Sequence, residues 1–327
     1  EAGTAPVPQY APTGLLLEAE RLTPPAGGGA GAGGHPGAGG PRGAAASDGL
    51  PVLLVMGLGM QLTAWPEAFV SGLLARGHPV LRFDNRDIGL STRREEWGRP
   101  NLALAAMRQA FGMRVPAPYT LYDMAADTVG LLDALALPKV HLVGVSMGGM
   151  IGQIVAALHP RRVASFTCIM SSSGARHLPG PTPAVRRVLF SRPERGNPQA
   201  AIEHFVRLLH AIGSPGYPTP EERLREQVTA SVRRSNHPLG TLRQMMAIAA
   251  TGDRSHLLRD IVAPACLVHG SDDPLLPVAA AHDLARKIPG AELRVIDGMG
   301  HDLPEALLPV LLEAIETTIA RAQAGAA

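Results

Sequence analysis

The stretch VHLVGVSMGGMIGQIVAAL, residues 140–158, constrains this chain more than any other. An apolar, strand-like run passes straight into a helical pattern with no loop between them, and Ser146 stands at the junction inside Gly144-Val145-Ser146-Met147-Gly148. A chain that turns so sharply doubles back on itself, so residues beside the apex must lack side chains. Gly144, Gly148 and Gly149 meet that demand. The helix that follows points its free N–H groups toward the serine and favours negative charge developing there. Ser146 is therefore the candidate nucleophile, set on a strand followed directly by a helix.

The rest of the chain repeats this alternation. Short aliphatic runs at 52–55, 80–84, 140–145, 163–171, 265–269 and 292–296 read as strands, and 66–76, 121–137, 147–158, 279–288 and 304–321 read as helices. The runs are continuously apolar, as strands covered on both faces are, so the expected fold class is α/β with a mostly parallel, doubly wound sheet. The alternation breaks over 174–253, where helical segments are punctuated by Pro and Gly; this reads as an inserted helical cap, mobile and setting substrate size. The core is then 50–173 and 254–327, and 1–49 is an N-terminal region with a strand at 15–22. Its tract 24–49 is dominated by Gly, Ala and Pro, cannot bury a core, and neither follows a strand nor opens a helix as a phosphate loop would. A solvated low-complexity insertion is expected there.

Composition excludes several classes. A net charge of +2 over 327 residues, with scattered arginines, announces no phosphate-tracking surface, so no nucleic-acid partner is expected. The most apolar window, 142–158, is short for a bilayer and carries Ser146 and Gln153, so no integral membrane segment is expected. The two cysteines, Cys168 and Cys266, lie in strand-like runs and read as buried free thiols. H-E-x-x-H, paired C-x-x-C and a placed G-x-G-x-x-G are missing from the sequence, so neither metal nor cofactor is expected. The chain starts at Glu1; the cytoplasm is the expected compartment, or the periplasm or exterior if a leader was removed.

A serine hydroxyl needs a base, and the base needs a carboxylate to hold its tautomer. After the strand at 265–269 comes Ser271-Asp272-Asp273-Pro274, and after that at 292–296 comes Met299-Gly300-His301. Of twelve histidines His301 alone has such a strand-end position; His269 sits inside a strand and His141 opens one. The loop Met56-Gly57-Leu58-Gly59-Met60 follows the first core strand and can supply a second oxyanion donor, so the N–H groups of Leu58 and Met147 form the expected oxyanion hole. Methionines cluster on these segments and suggest a soft apolar acyl pocket, with Met60, Trp65 and Met299 as its expected residues.

With LLVMG and Trp65-Pro66, RFDNRDIGLS, HLVGVSMGG, and GMGH with Leu303-Pro304, the chain resembles the bacterial α/β-hydrolase carboxylesterases, and within them the branch containing aclacinomycin methylesterase. The likeness covers most of 50–174 and 260–304. It implies the α/β-hydrolase fold, the chain order Ser, Asp, His, and hydrolysis of a small-molecule ester through an acyl-enzyme. It also implies the acid three residues after Gly270, which is Asp273; Pro274 biases that residue toward an extended backbone, and Asp272 reads as a turn former. The chain departs from the family pattern at Met56-Gly57, usually His-Gly, and at Asp84-Asn85-Arg86-Asp87, usually Asp-x-Arg-Gly, where Arg86 and Asp87 are expected to brace the loop. The same triad also serves cofactor-free perhydrolases, lactonases and carbon–carbon bond hydrolases, and a ligand-binding protein can keep the fold without turnover. Sequence leaves those alternatives open.

Overall fold

The computed structural model describes residues 5–6, 9–10, 14–24, 49–191, 194 and 197–325. Its strands are β1 (Ala5–Pro6), β2 (Gln9–Tyr10), β3 (Leu16–Leu17), β4 (Ala19–Leu22), β5 (Val52–Val55), β6 (Val80–Phe83), β7 (Val140–Val145), β8 (Val163–Ile169), β9 (Ala265–Gly270) and β10 (Glu292–Ile296). Eight form one sheet in the order β1-β4-β6-β5-β7-β8-β9-β10. Pairing is parallel from β6 to β10, and β4 and β1 are added antiparallel at one edge. The order reverses at β5, so crossover helices lie on both faces.

That arrangement explains why VLLV in β5 is apolar at every position. Leu53 and Val55 pack on one face against α3 (Leu121–Ala134) and α4 (Met147–Leu158), where Leu131, Ile151 and Val155 are buried. Val52 and Leu54 pack on the other, against Phe69 and Leu73 of α1 (Glu67–Ala75) and against a C-terminal helix that supplies Leu311 and Ile315. Full burial of one such side chain stabilises by about 1.5–3 kcal/mol, so a charge on either face of β5 would be costly. Cys168 and Cys266 are free and buried, and burial pushes the Cys168 thiol up to about 12.

Several boundaries differ from the sequence reading. The expected strand 15–22 is two strands separated at Glu18, whose N–H donates to Ser91 Oγ (2.9 Å). The helix expected to reach 137 stops at Ala134, and Ala136 adopts φ 52°, a left-handed backbone that ends a helix. A helix not expected from sequence, α2 (Leu102–Ala110), lies between β6 and α3. The Gly-rich tract 26–46 falls outside the described residues.

Between β8 and β9 lie α5 (Pro183–Leu189), α6 (Pro198–Ile212), α7 (Glu221–Arg234), α8 (Pro238–Thr251) and the short α9 (Ser255–Leu258); among the described residues there is no strand in this segment. The punctuation seen in sequence is helix-start chemistry. Pro stands at the first position of α5 and α6, and the caps Thr182 and Asn197 accept from Val185 N and Ala200 N. The two ends of this insertion meet, because Arg254 N donates to Ser173 O (2.9 Å) and the buried Arg254 guanidinium donates to Ser172 O (2.6 Å) and Gly252 O (2.8 Å). The chain ends in α10 (Ala279–Lys287) and α11 (Leu308–Ala324), and among the described residues no helix is long and apolar enough to cross a membrane.

Candidate active site

Ser146 occupies the single residue between β7 and α4 with φ 55° and ψ −117°, a conformation that costs a non-glycine residue about 1–3 kcal/mol. Its surroundings impose it. Ser146 N donates to Ile169 O (2.9 Å), and the Ser171 hydroxyl donates to Ser146 O (2.8 Å). A Cβ on Gly148 would stand 2.0 Å from Val55 O, and one on Gly144 would stand 2.4 Å from Gly148 O. Both contacts are with backbone, so neither position can hold a side chain.

Two other strand-end loops converge on this serine. His301, after β10, places Nε2 3.0 Å from Ser146 Oγ and Nδ1 2.6 Å from Asp273 Oδ2. Asp273, after β9, has a fully enclosed carboxylate whose Oδ1 accepts from Leu275 N (2.9 Å) and Leu276 N (2.8 Å). Burial alone would raise its pKa, but the charge of His301 and hydrogen bonds from His269 and His301 outweigh it and hold the group well below the usual carboxylate range. An ionised carboxylate only accepts, so Nδ1 of His301 carries a proton, and in the neutral ring Nε2 is then the acceptor that faces the serine hydroxyl. Asp272 is exposed and, rather than closing the local turn expected, joins its loop to the one after β10, accepting from Ser271 Oγ (2.7 Å) and Gly298 N (3.1 Å) while its own N–H donates to Met299 O (3.0 Å).

The loop after β5 lies directly on the serine. A Cβ on Gly57 would meet Ser146 Cβ at 3.3 Å. Among the described residues no group accepts from Leu58 N or Met147 N, so two donors beside Ser146 are unengaged. Gln244 of α8 holds the loop, accepting from Gly59 N (2.9 Å) while its own amide donates to Arg86 O (2.9 Å).

The Asp84–Asp87 loop after β6 is tied outward by each of its charges. Asp84 accepts from Leu62 N (2.7 Å) and Arg234 of α7 (2.7 Å); Arg86 donates to both oxygens of Asp127 in α3 (2.5 and 2.7 Å); Asp87 accepts from Arg243 of α8 (2.8 Å) and the Tyr119 hydroxyl (2.8 Å). Burial, then the Asp87 charge, drives the Tyr119 pKa far upward, so it remains a donor. Asn85 donates to Met56 O (3.1 Å) and joins this loop to the one beside Ser146.

The pocket residues expected from sequence divide. Met60 is half-buried at the edge of the core, but Trp65 and Met299 are 1% and 0% exposed, and Trp65 stacks on Phe69 at 5.3 Å. Both belong to the apolar cluster that also holds Met56 and Val145, residues beside the Ser146 turn. An open cleft of about 500 Å³ lined by Trp97, Arg99, Leu104 and Met246 contains none of the site residues. One residue that sequence reading set aside belongs here. His269 is buried with Nε2 2.7 Å from Leu276 O and 3.3 Å from Asp273 Oδ2. The signal was the spacing His269 to Asp273, four residues across a strand end.

The fold and the geometry around Ser146 define a class: the chain belongs to the α/β-hydrolase fold family, whose sequence profile matches residues 51–305. Within it, the chain is 30% identical to the rhodomycin D methylesterase of Streptomyces sp. (strain C5) over 81% of this chain and 89% of that protein. It is 27% identical, with the same coverage, to the rhodomycin D methylesterase of Streptomyces peucetius. Among solved structures it is similar to a meta-cleavage product hydrolase from Pseudomonas fluorescens IP01, with TM-score 0.70, 17% identity, and coverage of 97% of this chain and 98% of that one; this likeness concerns the fold.

Proposed function

We propose that this chain is a carboxylic ester hydrolase acting on small molecules, with Ser146 as nucleophile, Asp273 and His301 as its acid and base partners, and the N–H groups of Leu58 and Met147 as the oxyanion hole. The observation that carries this reading is the unbroken contact from Ser146 Oγ through His301 to Asp273, at 3.0 and 2.6 Å, set on a strained turn. Ser146 Oγ attacks the ester carbonyl carbon while its proton passes to His301 Nε2. The carbonyl oxygen, now negative, accepts from the two backbone donors. The tetrahedral intermediate expels the alcohol, which takes the proton from His301, and leaves an acyl-enzyme. Water then attacks, gives its proton to His301, and the acid departs as Ser146 recovers its hydroxyl proton.

Residues 174–253 serve as a cap over a core of 50–173 and 254–327, with 1–49 as the N-terminal region. The support is positional: Arg234, Arg243 and Gln244 of the insertion reach loops at the carboxyl ends of β5 and β6. Those ties leave α8 little freedom, so cap specificity rests on side chains lining the entrance more than on wholesale movement. The names of the two methylesterase relatives make a methyl ester of a larger acid the first substrate class to try. The test is a screen of methyl and p-nitrophenyl esters with acid release and a p-nitrophenolate burst as readouts. Ester turnover with a burst of about one equivalent per chain supports the reading, and no turnover of any carboxylic ester rejects it.

A further inference from the structure

The loop that carries His301 is held by the insertion as well as by its own strand. His301 N donates to Ile212 O at the end of α6 (2.7 Å), Gly300 N donates to Ser214 Oγ (2.8 Å), and Gly216 N donates to Gly298 O (2.9 Å). The Ser214 hydroxyl in turn donates to Asp302 Oδ1. Residues 212–216, the link between α6 and α7, thus engage 298, 300, 301 and 302 almost residue by residue. The two segments lie backbone against backbone: a Cβ on Gly300 would stand 2.4 Å from Gly213 O, and one on Gly216 would stand 3.0 Å from Gly298 Cα. Ser214 is 2% exposed.

We infer that the α6–α7 link is part of the machinery that positions the general base, with Ser214 as its positioning residue, so that the insertion and the proton relay act as one unit. This rests on His301 being the base proposed above. Asp273 fixes the imidazole ring through Nδ1, but it does not fix the backbone from which the ring hangs. The link does so, at the N–H of His301 itself and at the residues on either side. The contact from Nε2 to Ser146 Oγ is 3.0 Å, and a displacement of about 1 Å takes it out of hydrogen-bond range. Loss of these contacts would withdraw support from the base even with Asp273 in place.

The test uses the full chain and p-nitrophenyl acetate, with kcat and KM measured separately and the low-field proton NMR signal of the His301 Nδ1–H recorded. Ser214→Ala and Asp302→Ala are expected to lower kcat by about 10- to 100-fold, to leave KM within about threefold, and to shift or weaken the low-field signal. Asp302→Asn keeps an acceptor for the hydroxyl and is expected to stay within about fivefold of the parent. If Ser214→Ala does not fold, Asp302→Ala, in which Gly300 N keeps its partner, carries the same readouts. Folded alanine variants with kcat within about twofold of the parent and an unchanged signal would overturn the inference while leaving the ester hydrolase reading intact. Parent turnover that survives Ser146→Ala would instead remove the base reading on which it rests.

Discussion

The turn that carries Ser146 and the insertion between β8 and β9 are held by different kinds of force. The turn is fixed by exclusion: Gly144 and Gly148 sit where any Cβ would collide with backbone, and the serine is left in a left-handed conformation between a strand and a helix packed on both sides. The insertion is held by long-range contacts, charged ones among them. Its last two helices reach the core through Arg234 on Asp84 and Arg243 on Asp87, pairs whose carboxylates are wholly enclosed. Local sterics place Ser146, and long-range contacts place what surrounds it. The first region should fail in chemistry when altered at its apex, and the ion pairs of the second should fail in stability.

The largest effect separates the two directly. Ser146→Ala is expected to lower kcat/KM for esters by about 10⁴-fold or more with little change in melting temperature, because alanine keeps the Cβ and the backbone hydrogen bonds that hold the turn. A variant that is inactive and markedly less stable would show that the serine holds the turn together. Next is the pair of adjacent aspartates. Asp273→Asn should lower kcat by about 10³- to 10⁴-fold by favouring the wrong imidazole tautomer. Asp272→Asn, which keeps an acceptor for Ser271 Oγ and Gly298 N, should cost less than about tenfold. The reverse ranking in two folded variants would transfer the role.

On the other side of the comparison, Arg243→Met leaves Asp87 enclosed with Tyr119 and the more distant His237 as its remaining partners. A loss of about 3–5 kcal/mol in urea unfolding is expected, with the folded fraction keeping its turnover per molecule. Unchanged stability would mean that the insertion is held by packing instead. The smallest effect is a pH dependence. The Asp273 pKa is lowered in the folded state, so its contribution to stability is complete above the unfolded carboxylate range and is lost as pH falls through the folded value. Melting temperature should therefore fall more gently between about pH 4 and pH 2 in Asp273→Asn than in the parent. Equal slopes would contradict the depressed value.

This contrast also explains what could be read from the residues alone. Asp273 is distinguished from Asp272 in sequence chiefly by the family resemblance, whereas the turn at Ser146 follows from local pattern, because steric demand near a sharp turn leaves few residue choices. β7 and α4 match their expected bounds for that reason. Long-range partners leave no local signature. Nothing in Gly213-Ser214-Pro215-Gly216 singles out Ser214, whose partner Asp302 is 88 positions away. Arg243 and Asp87 are separated by 156. How enclosed Trp65 and Met299 are is likewise set by packing and not by local pattern.

The most direct measurement of the central claim is covalent. Treatment of the native chain with a fluorophosphonate, followed by peptide mass spectrometry, is predicted to give one adduct per chain, on the peptide containing Ser146, and none on Ser146→Ala. An adduct on a different serine, or turnover of esters by a chain that never labels, would contradict it.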